Sequence, residues 1–204
     1  MSDKSILYIF VATEQFKDTK SHAMQKIFLF IIAALMLPSC VCAQSKKAVE
    51  LSTDILMFLP SAVGGVNSLV KGDYKGIVQH LEAGVVTVAT AYLLKYTVDK
   101  RRPDGSDSRS FPSNHTGVAF VGASFLQQRY GWKWGAPAYA VAAYVGWGRI
   151  YSKKHDFWDV LAGAAIGVAS GVLFTSPYAR EHNVSLVPFA LPEGGCGVHF
   201  SMRL

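Results

Sequence analysis

The sequence predicts an all-α fold, a membrane-embedded helical bundle of about five to six helices with a short C-terminal β-hairpin-like tail. Half of the 204 residues are hydrophobic, 17% are charged and the mean hydropathy is +0.24, which is more apolar than an average soluble domain. Apolar stretches rich in Ala, Gly and Val follow one another, as in closely packed membrane helices. From Asn183 to Leu204 apolar and polar positions alternate around Pro192-Glu193-Gly194-Gly195, which favours two short strands.

The N-terminal region is predicted to direct export. A short charged start at Met24, the apolar Ile27–Leu37 stretch and Val41-Cys42-Ala43 before Gln44 follow the order of a cleaved signal peptide. An uncleaved anchor and a lipoprotein signal that lipidates Cys40 are the alternatives. We therefore divide the chain into an N-terminal extension and signal peptide or anchor (1–43), a helical domain (44–178) and a C-terminal tail (179–204).

Five stretches carry the helical signal, at 54–70, 76–98, 113–130, 134–151 and 156–175. The first is predicted to bend, because it contains Pro60 and Gly64-Gly65. The second is about as long as a bilayer requires. Several of these stretches contain fewer than 20 apolar residues or polar interruptions, so a compact soluble all-α domain with buried helices stays open as an alternative.

The net charge of +6 fits a membrane orientation only in part. No run of five basic residues occurs, which argues against a nucleic-acid partner. If Gln44 lies outside the cytoplasm, the basic residues predicted for the inner side are Lys71, Lys75, Arg129 and Lys133, as the positive-inside rule requires. The outer loops around 100–112 and 152–155 are basic as well, so their charge needs a chemical explanation.

The first chemical cluster in the outer loops is a pair of cations. Lys95 is followed by six residues and then by Arg102-Pro103. That separation is close to two helical turns, so on a continuing helix both cations would share a face and suit an oxyanion. Snorkelling, or pairing with the helix dipole, is the ordinary alternative.

The second cluster begins a helix. Ser113 is a plausible N-cap in Pro112-Ser113-Asn114-His115, and the amides of a helix N-terminus bind anions. His115 is placed to donate a proton to a bound oxyanion or leaving group. An ordinary cap followed by a structural histidine would give the same pattern.

The third cluster has the spacing of a nucleophile and its orienting group. Arg149 is followed after five residues by His155, and His155 after three by Asp159. On one helical face the Asp159 carboxylate would hold one ring nitrogen and leave the other free to attack. A helix-stabilising ion pair is the alternative.

Together the three clusters resemble, in order and spacing, the three-part signature of the type 2 phosphatidic acid phosphatase and vanadium haloperoxidase superfamily, in its bacterial lipid phosphatase branch. The motifs span Lys95 to Asp159, and the helical pattern extends the similarity from about Asp54 to Thr175. The chain departs from the usual pattern at Asn114, where glycine is common, and at Gly148, where serine is common before the arginine.

The resemblance implies a metal-independent phosphatase without a cofactor. His155 would attack phosphorus to form a phosphohistidine while Asp159 orients its ring, and His115 would protonate the leaving alcohol and then activate water. The residues implied to hold the phosphate oxygens are Lys95, Arg102, Ser113, Asn114 and Arg149. These roles would account for the basic outer loops.

The expected function is therefore hydrolysis of a phosphorylated membrane lipid at the bacterial inner membrane, with the site facing the periplasm. Candidate substrates are phosphatidic acid, phosphatidylglycerophosphate, polyprenyl diphosphate and lipid A phosphates. A soluble or lipid-anchored exported acid phosphatase, a vanadate-dependent haloperoxidase and a non-catalytic anion-binding protein are the alternatives. The oligomeric state stays open.

Overall fold

The fold is a bundle of six helices followed by a two-stranded hairpin. The structure is a computed structural model that describes residues 46–178, the backbone of 184–190 and 196–202, and residues 23, 25 and 26. The helices are α1 (Lys46–Leu56), α2 (Leu59–Lys71), α3 (Tyr74–Thr97), α4 (Asn114–Tyr130), α5 (Trp132–Tyr151) and α6 (Phe157–Phe174), and the strands are β1 (Val184–Ala190) and β2 (Cys196–Met202). The strands pair antiparallel. The predicted all-α bundle with a hairpin tail is confirmed.

The first predicted helix is in fact two. We expected one bent helix over 54–70, whereas α1 begins at Lys46 and the chain breaks at Met57 and Phe58 before α2. The break precedes Pro60 because proline fits the first turn of a helix, where its missing N–H costs no hydrogen bond. The other helices begin and end within two residues of their predicted bounds.

Helix α4 forms the centre of the bundle, and glycines bring α6 close to it. Ala119, Ala123, Phe125 and Leu126 of α4 are fully buried. On α6, a Cβ added at Gly163, Gly167 or Gly171 would overlap backbone or side-chain atoms of the α4 segment. Glycine at every fourth residue therefore lets the two backbones approach, as small residues do between membrane helices.

The outer surface of the bundle is apolar. Three helical segments are long and apolar enough to cross a membrane: Lys46–Lys71, which contains α1 and α2, then α3, and α6. Exposed side chains along them include Leu69, Leu81, Val85, Leu93 and Leu173, each more than half exposed. A soluble domain would not leave such long apolar faces to water. The bundle is membrane-embedded, as predicted.

The end of the bundle opposite the predicted site is held by a buried ion pair. Asp73, the N-cap of α3, accepts from Arg129 Nη2 at 2.6 Å and Nε at 2.8 Å, and from the Tyr130 hydroxyl at 2.7 Å. Arg129 also donates to the Ser176 carbonyl at 2.7 Å. We expected Arg129 in an inner loop, but it lies on α4 and is 2% exposed. It therefore adds little to the loop charge.

The predicted signal peptide, from Met24 to Ala43, lies almost wholly outside the described residues, as does the alternative lipidation site at Cys40. The division at residues 43 and 178 stays a prediction.

Candidate active site

Four helix ends meet at one end of the bundle and bring the three predicted clusters together. They are the end of α3, the beginning of α4, the end of α5 and the beginning of α6. The loop 98–113 crosses this end and is folded onto itself, since Ser110 N donates to the Lys100 carbonyl at 2.8 Å and Lys100 N to the Ser108 carbonyl at 3.1 Å. Residues far apart in the sequence therefore surround one polar site.

His155 and Asp159 are adjacent, although they do not share a helical face as predicted. His155 lies in the loop before α6, Asp156 is the N-cap, and Asp159 lies in the first turn. His155 Nδ1 is 3.5 Å from Asp159 Oδ2 and 3.4 Å from the Ser110 hydroxyl. These distances are long for hydrogen bonds, as is common in catalytic sites without substrate. Asp159 and Ser110 approach Nδ1, so the other ring nitrogen, Nε2, is the one that could attack a substrate.

The Asp159 carboxylate is buried and has partners that sequence reasoning missed. It accepts from Lys100 Nζ at 2.7 Å, from the Ser110 hydroxyl and from Asp156 N at 3.2 Å. Partial burial acts to lower the pKa of Lys100, but the hydrogen bonds to Asp156 and Asp159 outweigh it and hold that pKa above its ordinary value. Lys100 therefore keeps its charge and compensates the fully buried Asp159.

His155 is neutral at neutral pH. Its side chain is 2% exposed, and burial, followed by the Lys95 and Arg149 cations, lowers the pKa of His155 to about 3 against the opposing effect of Asp159. A neutral imidazole has a lone pair on its unprotonated nitrogen. The surroundings thus favour the form of His155 that can act as a nucleophile.

The predicted cations line the site, but Lys95 and Arg102 are not on one helix. Helix α3 ends at Thr97, and Lys95 Nζ donates to the Arg109 carbonyl at 3.0 Å. Arg102 lies in the loop, with Nη2 3.4 Å from Asp107. Within the described residues, the Nε atoms of Arg102 and Arg149 are buried and have no hydrogen-bond partner. Unpaired buried guanidinium donors are costly unless an anion binds them.

The start of α4 has the predicted cap. The Ser113 hydroxyl accepts from Thr116 N at 3.5 Å and from the Thr116 hydroxyl at 3.0 Å, and Ser113 is fully buried. Asn114 Oδ1 is buried without a hydrogen-bond partner in the described part of the chain. The cap is confirmed, while roles for Ser113 and Asn114 in binding phosphate stay predictions.

His115 has an acidic partner that the three clusters do not contain. Asp54 Oδ1, on α1, is 2.9 Å from His115 Nε2 and 2.7 Å from Arg149 Nη1. Neither the spacing of the clusters nor the periodicity of α1 indicates this contact. No three His, Cys, Asp or Glu side chains form a metal site among the residues described, and the expectation of metal-independent chemistry stays a prediction.

Comparison with known proteins identifies the family. A family model described as the PAP2 superfamily matches residues 77–182, more than half of the 204 residues. The chain belongs to the PAP2 superfamily. The matched region contains all three clusters, so the resemblance seen in the sequence is confirmed.

Two relatives of this PAP2 protein are lipid A phosphatases. The chain is 35% identical over 136 residues to the lipid A 4'-phosphatase of Helicobacter pylori, covering 61% of this chain and 68% of that protein. It is 39% identical over 82 residues to the lipid A 1-phosphatase of Porphyromonas gingivalis, covering 39% of this chain and 18% of that protein. The predicted membrane lipid phosphatase, a phosphoric monoester hydrolase, is thereby confirmed at the level of the class.

A solved structure shares the fold of this PAP2 protein. The crystal structure of Aquifex aeolicus LpxE aligns with a TM-score of 0.52 and 22% identity, over 71% of this chain and 92% of that chain. At this identity the likeness concerns the fold alone. It supports the six-helix bundle.

Proposed function

We propose that this PAP2 protein removes a phosphate group from a lipid A-type glycolipid through a phosphohistidine on His155, at the periplasmic face of the inner membrane. The relatives named lipid A phosphatases support the substrate class. The observation that carries the chemistry is a pair of buried guanidinium nitrogens, on Arg102 and Arg149, that have no hydrogen-bond partner among the residues for which the structure gives positions. They lie beside His155, whose lowered pKa keeps it neutral at neutral pH.

In the first step the phosphate monoester group of the lipid, a dianion, enters between the cations. Lys95, Arg102 and Arg149 bind its equatorial oxygens, where charge accumulates during phosphoryl transfer. His155 Nε2 attacks phosphorus, and the N–P bond forms as the bond to the sugar oxygen breaks. Burial, followed by the Arg149 cation, lowers the pKa of His115 to about 4, and the entering phosphate dianion opposes both because a nearby negative charge favours the protonated ring. Protonated His115 then gives its proton to that oxygen, so the product leaves as an alcohol.

In the second step water releases the phosphate. His115, now neutral, takes a proton from a water molecule as its oxygen attacks phosphorus and the N–P bond breaks. Inorganic phosphate leaves, and His155 and His115 return to their starting states. Asp159 stays ionised throughout, held by Lys100 and Ser110, and stabilises the positive charge on the His155 ring.

The first test compares substrates with purified protein in detergent. Phosphate release from lipid A is expected to exceed release from phosphatidic acid, phosphatidylglycerophosphate, polyprenyl diphosphate and small soluble esters. His155→Ala is expected to abolish release while the protein stays folded. His80→Gln is the matched control, because His80 is another partly buried histidine and its ring lies tilted against Phe125, with the ring centroids 4.3 Å apart. Undiminished turnover by His155→Ala would refute the proposed mechanism.

The second test concerns orientation. Single cysteines replace Ser106 in the exposed loop of the site and Lys133 at the opposite end, in a background without native cysteines. A maleimide that cannot cross the inner membrane is added to intact cells with a permeabilised outer membrane. We expect it to label position 106 and to spare position 133; the reverse pattern would place the site in the cytoplasm.

A further inference from the structure

The contact between Asp54 and His115 extends the site beyond the family region. Asp54 lies before residue 77, where the match to the PAP2 model begins. Its Oδ1 atom nevertheless contacts both the proposed acid, at 2.9 Å, and Arg149, at 2.7 Å. Burial and the Arg149 cation lower the pKa of His115 to about 4, and Asp54 acts in the opposite direction, since a carboxylate beside an imidazole fixes the ring and favours its protonated form.

Helix α1 reaches this position because residue 148 is glycine. Val49 and Thr53 of α1 are buried against α5. A Cβ added at Gly148 would overlap Thr53 Cγ2 and lie 3.1 Å from Val49 Cγ1. Serine, which the resemblance leads one to expect at 148, would require Thr53 to shift. The Thr53 hydroxyl is held by a 2.8 Å hydrogen bond to the Glu50 carbonyl, so we expect α1 to move outward with it and take Asp54, the residue after Thr53, away from Arg149.

Other contacts fasten α1 to the same end of the bundle. Lys154 Nζ lies 3.2 Å from Glu50 Oε1, on α1, and 3.2 Å from Asp104 Oδ2, in the loop 98–113. The hydroxyls of Ser52 and Tyr144 are 3.0 Å apart. These bonds hold α1 along α5, so the position of Asp54 is determined by packing on both sides of it.

We propose that Asp54 is a positioning residue for the acid His115, and that glycine at 148 allows α1 to pack close enough to place Asp54 beside His115. Asp54 accepts the Nε2 proton of His115, which leaves the Nδ1 proton for the leaving oxygen. Arg149 is bound through Nη1, while its buried Nε keeps a donor for the phosphate. The proposal rests on the proposed function.

Asp54→Asn tests this role by removing the charge and keeping the shape. Because a positioned acid contributes about 10²- to 10⁴-fold, we expect kcat on the lipid phosphate to fall about 100-fold. p-Nitrophenyl phosphate has a leaving group that needs no proton, so the rate of its p-nitrophenol burst, which reports the phosphorylation of His155 before water is activated, should fall less than about fivefold. Glu82→Gln is the control, at an exposed acidic residue of α3, and should change either rate less than about twofold.

Gly148→Ser tests whether glycine at 148 allows α1 to place Asp54 beside His115. Alone it should reproduce the selective loss on the lipid phosphate, and in the Asp54→Asn background it should add no further loss. Three results would overturn the proposal: equal losses on both substrates in Asp54→Asn, additive losses in the double variant, or tighter orthovanadate binding with undiminished kcat. The last result would mean that Asp54 occupies the phosphate position and is displaced by substrate.

A spectroscopic readout separates this proposal from the proposed function. In ¹⁵N-histidine-labelled protein, with His115 assigned by His115→Gln, Asp54→Asn should shift the His115 Nε2 signal while Glu82→Gln leaves it in place. If the wild-type protein releases no phosphate, the proposed function fails and this shift still tests the contact. An unchanged Nε2 signal in Asp54→Asn refutes the contact itself, whatever the activity.

Discussion

Replacing Lys100 with methionine tests the ion pair that supports His155, the proposed nucleophile. Lys100 Nζ lies 2.7 Å from Asp159 Oδ1 and 2.5 Å from Asp156 Oδ2. Asp159 is fully buried, whereas the Lys100 side chain is 31% exposed. Methionine keeps the length of the aliphatic chain and removes the charge, so the change isolates the ion pair.

The expected cost follows from the geometry. At 2.7 Å and an effective dielectric constant of about 20, the gross attraction between Lys100 and Asp159 is about 6 kcal/mol. Desolvation cancels much of it, and water can enter beside the partly exposed lysine. A hydrogen bond to a charged group has a net value of about 1.5 to 3 kcal/mol, so we expect Lys100→Met to lower the free energy of unfolding by about 2 kcal/mol.

The assay is thermal unfolding in detergent, followed by the fluorescence of the four tryptophans, together with turnover on lipid phosphate. A loss of 2 kcal/mol corresponds to about 4 to 8 °C in Tm for a chain of this size. Turnover should fall about 10-fold, because a less well held Asp159 orients His155 less well. Lys100→Arg should recover most of both, and Lys47→Met, at an exposed lysine of α1, should change neither. Wild-type Tm and turnover in Lys100→Met would refute the reasoning.

Three further predictions follow from the described contacts. Because the pKa of His155 is lowered to about 3, its imidazole should stay neutral as the pH falls from 7 to 5, and a ¹⁵N signal titrating near 6.5 would contradict this. Arg129→Met leaves Asp73 buried without its cation and should cost about 3 to 5 kcal/mol, measured as a large fall in Tm. Gly167→Leu should cost about 1 to 3 kcal/mol or more by overpacking the contact with α4, whereas Gly84→Leu, where a Cβ meets nothing within 4 Å, should be tolerated.

The helices could be predicted because their signals are local. The polar cap at Ser113 and the glycine at 131 are short-range features that end or begin a helix wherever the chain is placed. The pair of helices α1 and α2 at 46–71 was harder to predict, because the chain leaves the helix at Met57 and Phe58, two residues that do not usually end a helix. Pro60 indicates an interruption near this point, but proline is compatible both with a bent helix and with the start of a new one, so the local pattern did not separate the two.

The three clusters could be found because each is compact in sequence, whereas their supporting residues could not. Lys100 and Ser110 meet Asp159 only because the loop 98–113 folds onto itself through backbone hydrogen bonds. Asp54 reaches His115 only because α1 packs on α5 beside Gly148. In the sequence these three are an ordinary lysine, serine and aspartate at unremarkable spacing.

The two ends of the bundle differ in how their arginines are compensated, and this difference supports the proposed position of the active site. At one end Arg129 has its Nε and Nη2 donors on Asp73 and an Nη1 bond to a carbonyl, so its charge is used to hold helices together. At the other end Arg102 and Arg149 each keep a buried Nε without a partner among the described residues. Folding leaves such donors unpaired only at a free-energy cost. A bound phosphate would remove that cost, since its oxygens are the acceptors that those donors lack. A count of basic residues treats these arginines alike, whereas their hydrogen bonds separate the structural end from the end that we propose binds an anion.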